Sequence, residues 1–146
     1  MPRHFTVNEA QKLLPAVERA IRGALVVKAE FDEAEAALEG MTRRILMLGG
    51  AQVDREVVLR HRGRRDTSAA RLKEAIEKIQ SYGCLVKDLD IGLVDFLTLY
   101  KGEEVYLCWR LGEESIEFWH GIHEGYQGRK KIDREFLDSH RGDRPS

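Results

Sequence analysis

The chain has 146 residues, 42% of them hydrophobic and 34% charged, with a formal net charge of -1, the composition of a soluble globular protein with long solvated helices and enough length to bury a core. No apolar run approaches the roughly 18 residues of a membrane span, and the opening MPRHFTVNEA lacks the apolar centre of a signal peptide. Two distant cysteines with no CxxC pair read as free thiols and exclude a cysteine-based zinc knuckle, so the expected location is cytoplasmic.

The small net charge conceals a segregation. Residues 1–82 carry 15 basic and 12 acidic side chains, residues 83–128 carry 3 basic and 9 acidic, and the remainder carries 6 basic and 4 acidic. The acidic module is expected to repel phosphate and to favour cations or a basic partner.

In chain order, Thr6 and Glu9 form a capping box that starts a helix. Pro15 follows Leu13-Leu14 and predicts a kink or break there, because proline removes a hydrogen bond and clashes with the preceding turn. Apolar residues then recur at spacings of three and four through Val17, Ala24, Phe31, Leu38 and Ile45 to Leu48, before Gly49-Gly50 ends the pattern. A helix over about 15–48 would be roughly 50 Å long. A second helical segment, about Val53 to Tyr82, carries the stripe Ala69, Leu72, Ile76 and Ile79. Its length and the short glycine link predict an antiparallel, coiled-coil-like hairpin, with local unwinding expected over 60–66 around Gly63.

The basic run Arg60-His61-Arg62-Gly63-Arg64-Arg65 contains no aromatic residue for base stacking and matches no DNA-reading motif. It reads as a solvated face answering Glu33, Glu35 and Glu39, and nucleic acid is not the expected partner. Two helices alone leave apolar surface bare, which favours a homodimer formed through them.

After Gly83 the period changes to two. Leu93–Tyr100 and Glu103–Arg110 flank Lys101-Gly102, a two-residue turn that pairs Phe96 with Leu107, Val94 with Trp109 and Thr98 with Val105 on an apolar face. A further turn at Gly112-Glu113 is expected to pair Arg110 with Ser115, Trp109 with Ile116 and Leu107 with Phe118.

The other face would then line up Asp95, Cys108 and Glu117, with Leu97, Tyr106 and Trp119 as the next row and Arg110 diagonal to both acids. Arg110 there either neutralises the acids around a small buried Cys108, or the row lines a pocket for a metal or polar ligand. His120 and His123, with Asp95 and Glu113, form a candidate divalent-metal set, since nitrogen and oxygen donors at that spacing can share an ion if the chain turns. This register puts His120 beside Val105 on the apolar face, away from Cys108, which disfavours a thiol hydrolase. No phosphate loop, dinucleotide fingerprint or serine elbow is present.

Asp88, Gly92-Leu93-Val94-Asp95-Phe96, Cys108-Trp109-Arg110-Leu111-Gly112-Glu113, Trp119-His120, Gly125 and Gly128-Arg129, with the opening Phe5-Thr6, Glu9-Ala10 and Leu13-Leu14-Pro15, resemble an uncharacterised bacterial family, the domain of unknown function numbered 2203. The likeness spans about residues 4–132 and departs at Leu97, where the family often has proline. It implies membership and no activity. Its motif positions map to Asp95, Cys108, Trp109, Arg110, Glu113, Trp119, His120 and Arg129, which adds Arg129 to the ligand-binding candidates Asp95, Cys108, Arg110, Glu113 and Glu117.

The expected architecture is α+β: a helical hairpin over 4–82 packed on an antiparallel β-meander over 83–132, then a polar, disordered tail over 133–146. The leading functional expectation is a non-enzymatic binding or scaffold protein that self-associates through its helices. The alternative is a metal- or small-ligand-binding protein, conceivably an enzyme, using the acidic module.

Overall fold

The computed structural model describes residues 3–49 and 54–143. Two long helices, α1 (Val7–Met47) and α2 (Arg55–Gln80), precede β1 (Leu85–Asp88), β2 (Leu93–Tyr100), β3 (Glu103–Arg110) and β4 (Phe118–Gly121). A 3-10 turn (Tyr126–Gly128), β5 (Lys130–Lys131), α3 (Arg134–Ser139) and β6 (His140–Arg141) complete an α+β chain. It forms two compact units, one of Arg22–Glu77 and one of Met1–Ile21 with Lys78–Ser146.

The capping box forms as its sequence requires: the Thr6 amide donates to Glu9 Oε1 (3.0 Å) and the Glu9 amide donates to Thr6 Oγ1 (3.1 Å). Beyond it α1 runs unbroken through Pro15, so the expected break does not occur. Proline inside a helix costs about 3 kcal/mol. Here its ring is exposed while Leu14 and Val17 on either side are buried, each contributing about 1.5–3 kcal/mol of apolar burial, and that outweighs the loss.

In the Arg22–Glu77 unit the helices are antiparallel, since Glu30 pairs with Arg71 (2.6 Å) while the later Glu33 and Glu35 pair with the earlier Arg64 (3.6 Å) and Arg65 (3.8 Å). α2 also continues without unwinding through 60–66. Glu39 turns instead to Arg43 of its own helix (3.5 Å). Surface pairs of this kind contribute at most about 1 kcal/mol each.

The other unit holds one antiparallel sheet in the order β1-β2-β3-β4-β5, with β6 also on β2. Lys101 and Gly102 both have positive φ (54° and 81°), the mirror-image turn that suits the twist of a hairpin. Every β2–β3 pair from Leu93↔Arg110 to Tyr100↔Glu103 is the expected one. The face bearing Val94, Phe96, Leu107 and Trp109 is fully buried. Phe5 meets Phe96 edge-on at 5.3 Å, and Gln11 Oε1 of α1 accepts from the Ile116 amide at 2.9 Å.

The β3–β4 register differs from expectation by one residue, pairing Cys108 with Phe118, Leu107 with Trp119 and Tyr106 with His120. The cause lies in the connection. Glu113 Oε1 accepts from the Arg110 amide (2.7 Å) and the Glu113 amide donates to the Arg110 carbonyl (3.0 Å), so this residue occupies the backbone groups that a tight hairpin would give to the next strand. Ile116 is drawn to Gln11 rather than paired with Trp109, and β4 begins only at Phe118. A slip of one turns every side chain of β4 over.

Residues 133–143, expected to be a disordered tail, are folded. Asp133 caps α3 by accepting from the Phe136 amide (2.8 Å), and β6 pairs with the end of β2. One buried apolar residue anchors this largely polar stretch: Phe136 stacks on Tyr100 (4.6 Å) and lies tilted against Trp119 (5.0 Å). His140 Nδ1 faces the Leu137 carbonyl (2.9 Å), which can only accept, so its Nε2 is free to accept from the Val7 amide (3.0 Å). His4 lies between Asp143 (2.9 Å) and Glu104 (2.8 Å). Residues 144–146 lie outside the described residues.

Candidate metal centre

Directly opposed residues share a face of a sheet, and alternate residues along a strand share it too. Asp95 of β2 opposes Cys108 of β3, and His120 of β4 opposes Tyr106, two places along from Cys108. The corrected register therefore brings Asp95, Cys108 and His120 onto one face. Carboxylate oxygen, Sγ and imidazole nitrogen all lie within 4.8 Å of one another. This reverses the expectation that Cys108 and His120 point apart and that His120 neighbours Val105, whose partner is Gly121.

The three side chains are almost completely buried. His120 Nε2 is 3.1 Å from Asp95 Oδ2, and its Nδ1 is 2.8 Å from the Gly121 carbonyl. A carbonyl only accepts, so Nδ1 carries a proton and Nε2 is the nitrogen presented to Asp95. Burial disfavours the charged imidazole, but the bonds to Asp95 and to Gly121 outweigh it and leave the His120 pKa above its ordinary value. Asp95 Oδ1 has no hydrogen-bond partner.

Burial, and next the Asp95 carboxylate, push the Cys108 thiol far up, while burial alone is the chief cause that pushes Cys84 up to about 11. Both cysteines are free. A thiol pushed up in this way is not an activated nucleophile in the metal-free protein, while the geometry sets it beside His120 and not away from it.

The other expected residues separate. Glu113 does not join the cluster; its carboxylate holds Arg129 at 2.5 Å. Arg129 lies over the Phe118 ring (4.0 Å) and the Tyr126 ring (4.7 Å), with its side chain 8% exposed and Nε unpartnered. Arg110 does not neutralise Asp95 and Glu117; it donates to Tyr126 Oη (3.2 Å). Glu117 is exposed beside Ser115 (3.3 Å), because the shifted register gives its place opposite Cys108 to Phe118. Trp119 likewise turns to the opposite face, against Tyr100 (5.1 Å). His123 is exposed, in a cleft shared with Glu103, Glu104 and Glu124.

Sequence reasoning missed the Gly121 carbonyl and the two rings that hold Arg129. Tyr126 and Arg129 fall in the Gly-Tyr-Gln-Gly-Arg stretch, and an aromatic residue three places before an arginine in a glycine-rich turn was the available signal. Part of the module's acidic surplus is answered here, because Arg129 pairs with Glu113 and Lys130 with Glu124 (2.7 Å).

The profile of the family described as "Uncharacterized conserved protein (DUF2203)" matches residues 3–132. The chain belongs to this family. Comparison with curated proteins and with solved structures finds no match. Asp95, Cys108, His120 and Arg129 all lie inside the DUF2203 span, and α3 and β6 lie beyond it. Among the described residues no helix is long and apolar enough to cross a membrane.

Proposed function

We propose that this DUF2203 protein binds a divalent transition metal through Asp95, Cys108 and His120. The observation that carries the reading is three buried donors of different kinds within 4.8 Å. One nitrogen, one oxygen and one sulfur suit zinc-type ions and not magnesium or calcium, which prefer all-oxygen sites. The bond from Nδ1 to the Gly121 carbonyl fixes the tautomer that a metal-ligating histidine needs, a usual outer-shell arrangement. The unpartnered Asp95 oxygen is a buried acceptor that a cation would satisfy. Two free thiols fit a cytoplasmic setting for this chemistry.

Elemental analysis of protein purified without an affinity tag should find about one zinc-type ion per chain, and Cys108→Ala should abolish it. A metal content near zero, with no thermal stabilisation by divalent ions, would remove this reading.

A second reading, self-association through the helices, rests on large apolar side chains left exposed in or near α1 and α2: Val26, Leu46, Met47, Leu48 and Leu59. Light scattering of the purified protein decides it, and a clean monomer would sink the helix-mediated dimer.

A further inference from the structure

Among the described residues, two buried polar side-chain atoms have no hydrogen-bond partner: Asp95 Oδ1 and Arg129 Nε. They are opposite in kind, since a carboxylate oxygen accepts and a guanidinium nitrogen only donates. Both flank Cys108. Asp95 opposes it from β2, and Arg129 is seated on Phe118, which opposes it from β4. A metal on Asp95, Cys108 and His120 would satisfy the first atom and leave the second bare.

Arg129 cannot easily turn to find an acceptor elsewhere. The rings of Phe118 (4.0 Å) and Tyr126 (4.7 Å) fix its plane, and Glu113 holds one terminal nitrogen. Nor is it the sole cation near the cluster. Arg110 lies over the same Tyr126 ring (5.6 Å), and Lys87 lies over Tyr106 (4.4 Å), the ring against His120 (5.5 Å). With a divalent ion balanced by Asp95 and a Cys108 thiolate, Glu113 answers Arg129, and Arg110 and Lys87 add positive charge nearby.

Three protein donors leave a tetrahedral ion one open position. We propose that this position takes a small carboxylate, with one oxygen on the metal and the other accepting from Arg129 Nε. The inference rests on the metal reading above and adds a ligand class to it. The metal and the carboxylate together supply what the two unpartnered atoms lack, a cation for Asp95 Oδ1 and an acceptor for Arg129 Nε.

Cobalt(II) serves as the probe metal and formate as the probe ligand. The cobalt-loaded protein should show thiolate-to-metal absorption, and its visible bands should shift saturably with formate but not with chloride at equal ionic strength. Arg129→Gln should retain cobalt at the same stoichiometry and bind formate roughly tenfold or more weakly, the loss expected for a charge-assisted hydrogen bond. Arg129→Lys, which keeps the charge and removes Nε, should also weaken formate, and it replaces the glutamine variant if that one fails to fold. Bound cobalt with no response to formate, or equal formate affinity in the variants, overturns this inference alone. Failure to bind cobalt overturns the metal reading and this inference with it.

Discussion

On one face of the sheet Val94, Phe96, Leu107 and Trp109 are wholly buried, and the one polar group among their side chains, the Trp109 indole, donates to the Glu113 carbonyl. On the other face Asp95, Cys108 and His120 are buried almost as deeply. There His120 is held between the Asp95 carboxylate and the Gly121 carbonyl, and the other Asp95 oxygen is left unmatched. Residues that alternate along the same two strands thus do different work. The first face contributes cohesion, because apolar area and close packing stabilise folding without reference to any ligand. The second contributes a poised set of donors at a cost in desolvation that apolar residues would not incur.

Substitutions should separate the two. Trp109→Ala opens a cavity in the apolar face and should cost about 3–5 kcal/mol in denaturant unfolding, the largest effect expected of any single change here. His120→Ala removes the partner of Asp95 and leaves its carboxylate buried without a donor, at about 1–3 kcal/mol in the metal-free protein. Its sharper signature is that added zinc should no longer raise the melting temperature. If added zinc stabilised His120→Ala and the parent equally, the distinction between the faces would fail.

The smallest effect lies outside both faces, where the chain ends meet. Burial opposes a charged His4, but Glu104 and Asp143 outweigh it, so its pKa is raised, while the His4 amide and ring hold Asp143 below the usual carboxylate value. The His4 contribution is fully present below its unfolded pKa of about 6.5 and is lost as pH rises through the raised folded value. That of Asp143 has the opposite sign and fades as pH falls through its depressed value. Unfolding experiments on His4→Gln should show a flatter decline of stability between weakly acidic and weakly alkaline pH than the parent, by under about 1 kcal/mol.

The parts legible in the sequence are those governed by local chemistry. Thr6 and Glu9 cap a helix through atoms three residues apart, and Lys101-Gly102 sets a register through two backbone angles. That register sets Asp95 opposite Cys108 from local chemistry alone. His120 falls on the face opposite to the expected one because its place depends on Glu113, whose side chain and amide take up the Arg110 backbone groups of β3, and on Gln11, over a hundred residues away in sequence. Phe136 escaped notice for a related reason. One aromatic residue in a charged segment carries no periodicity, and its burial depends on Tyr100 and Trp119 being free to receive it.

The same contact bears on where this chain can be cut. A protein ended at Ile132, the last residue of the DUF2203 match, would keep Asp95, Cys108, His120 and Arg129. It would lose β6 from β2, uncovering backbone groups at Leu99 and Tyr100, and it would strip Phe136 from the rings beside them. An unpaired strand edge next to bare aromatic surface is a template for other chains. The shortened protein should accordingly tend toward aggregation even though every candidate ligand remains in its sequence.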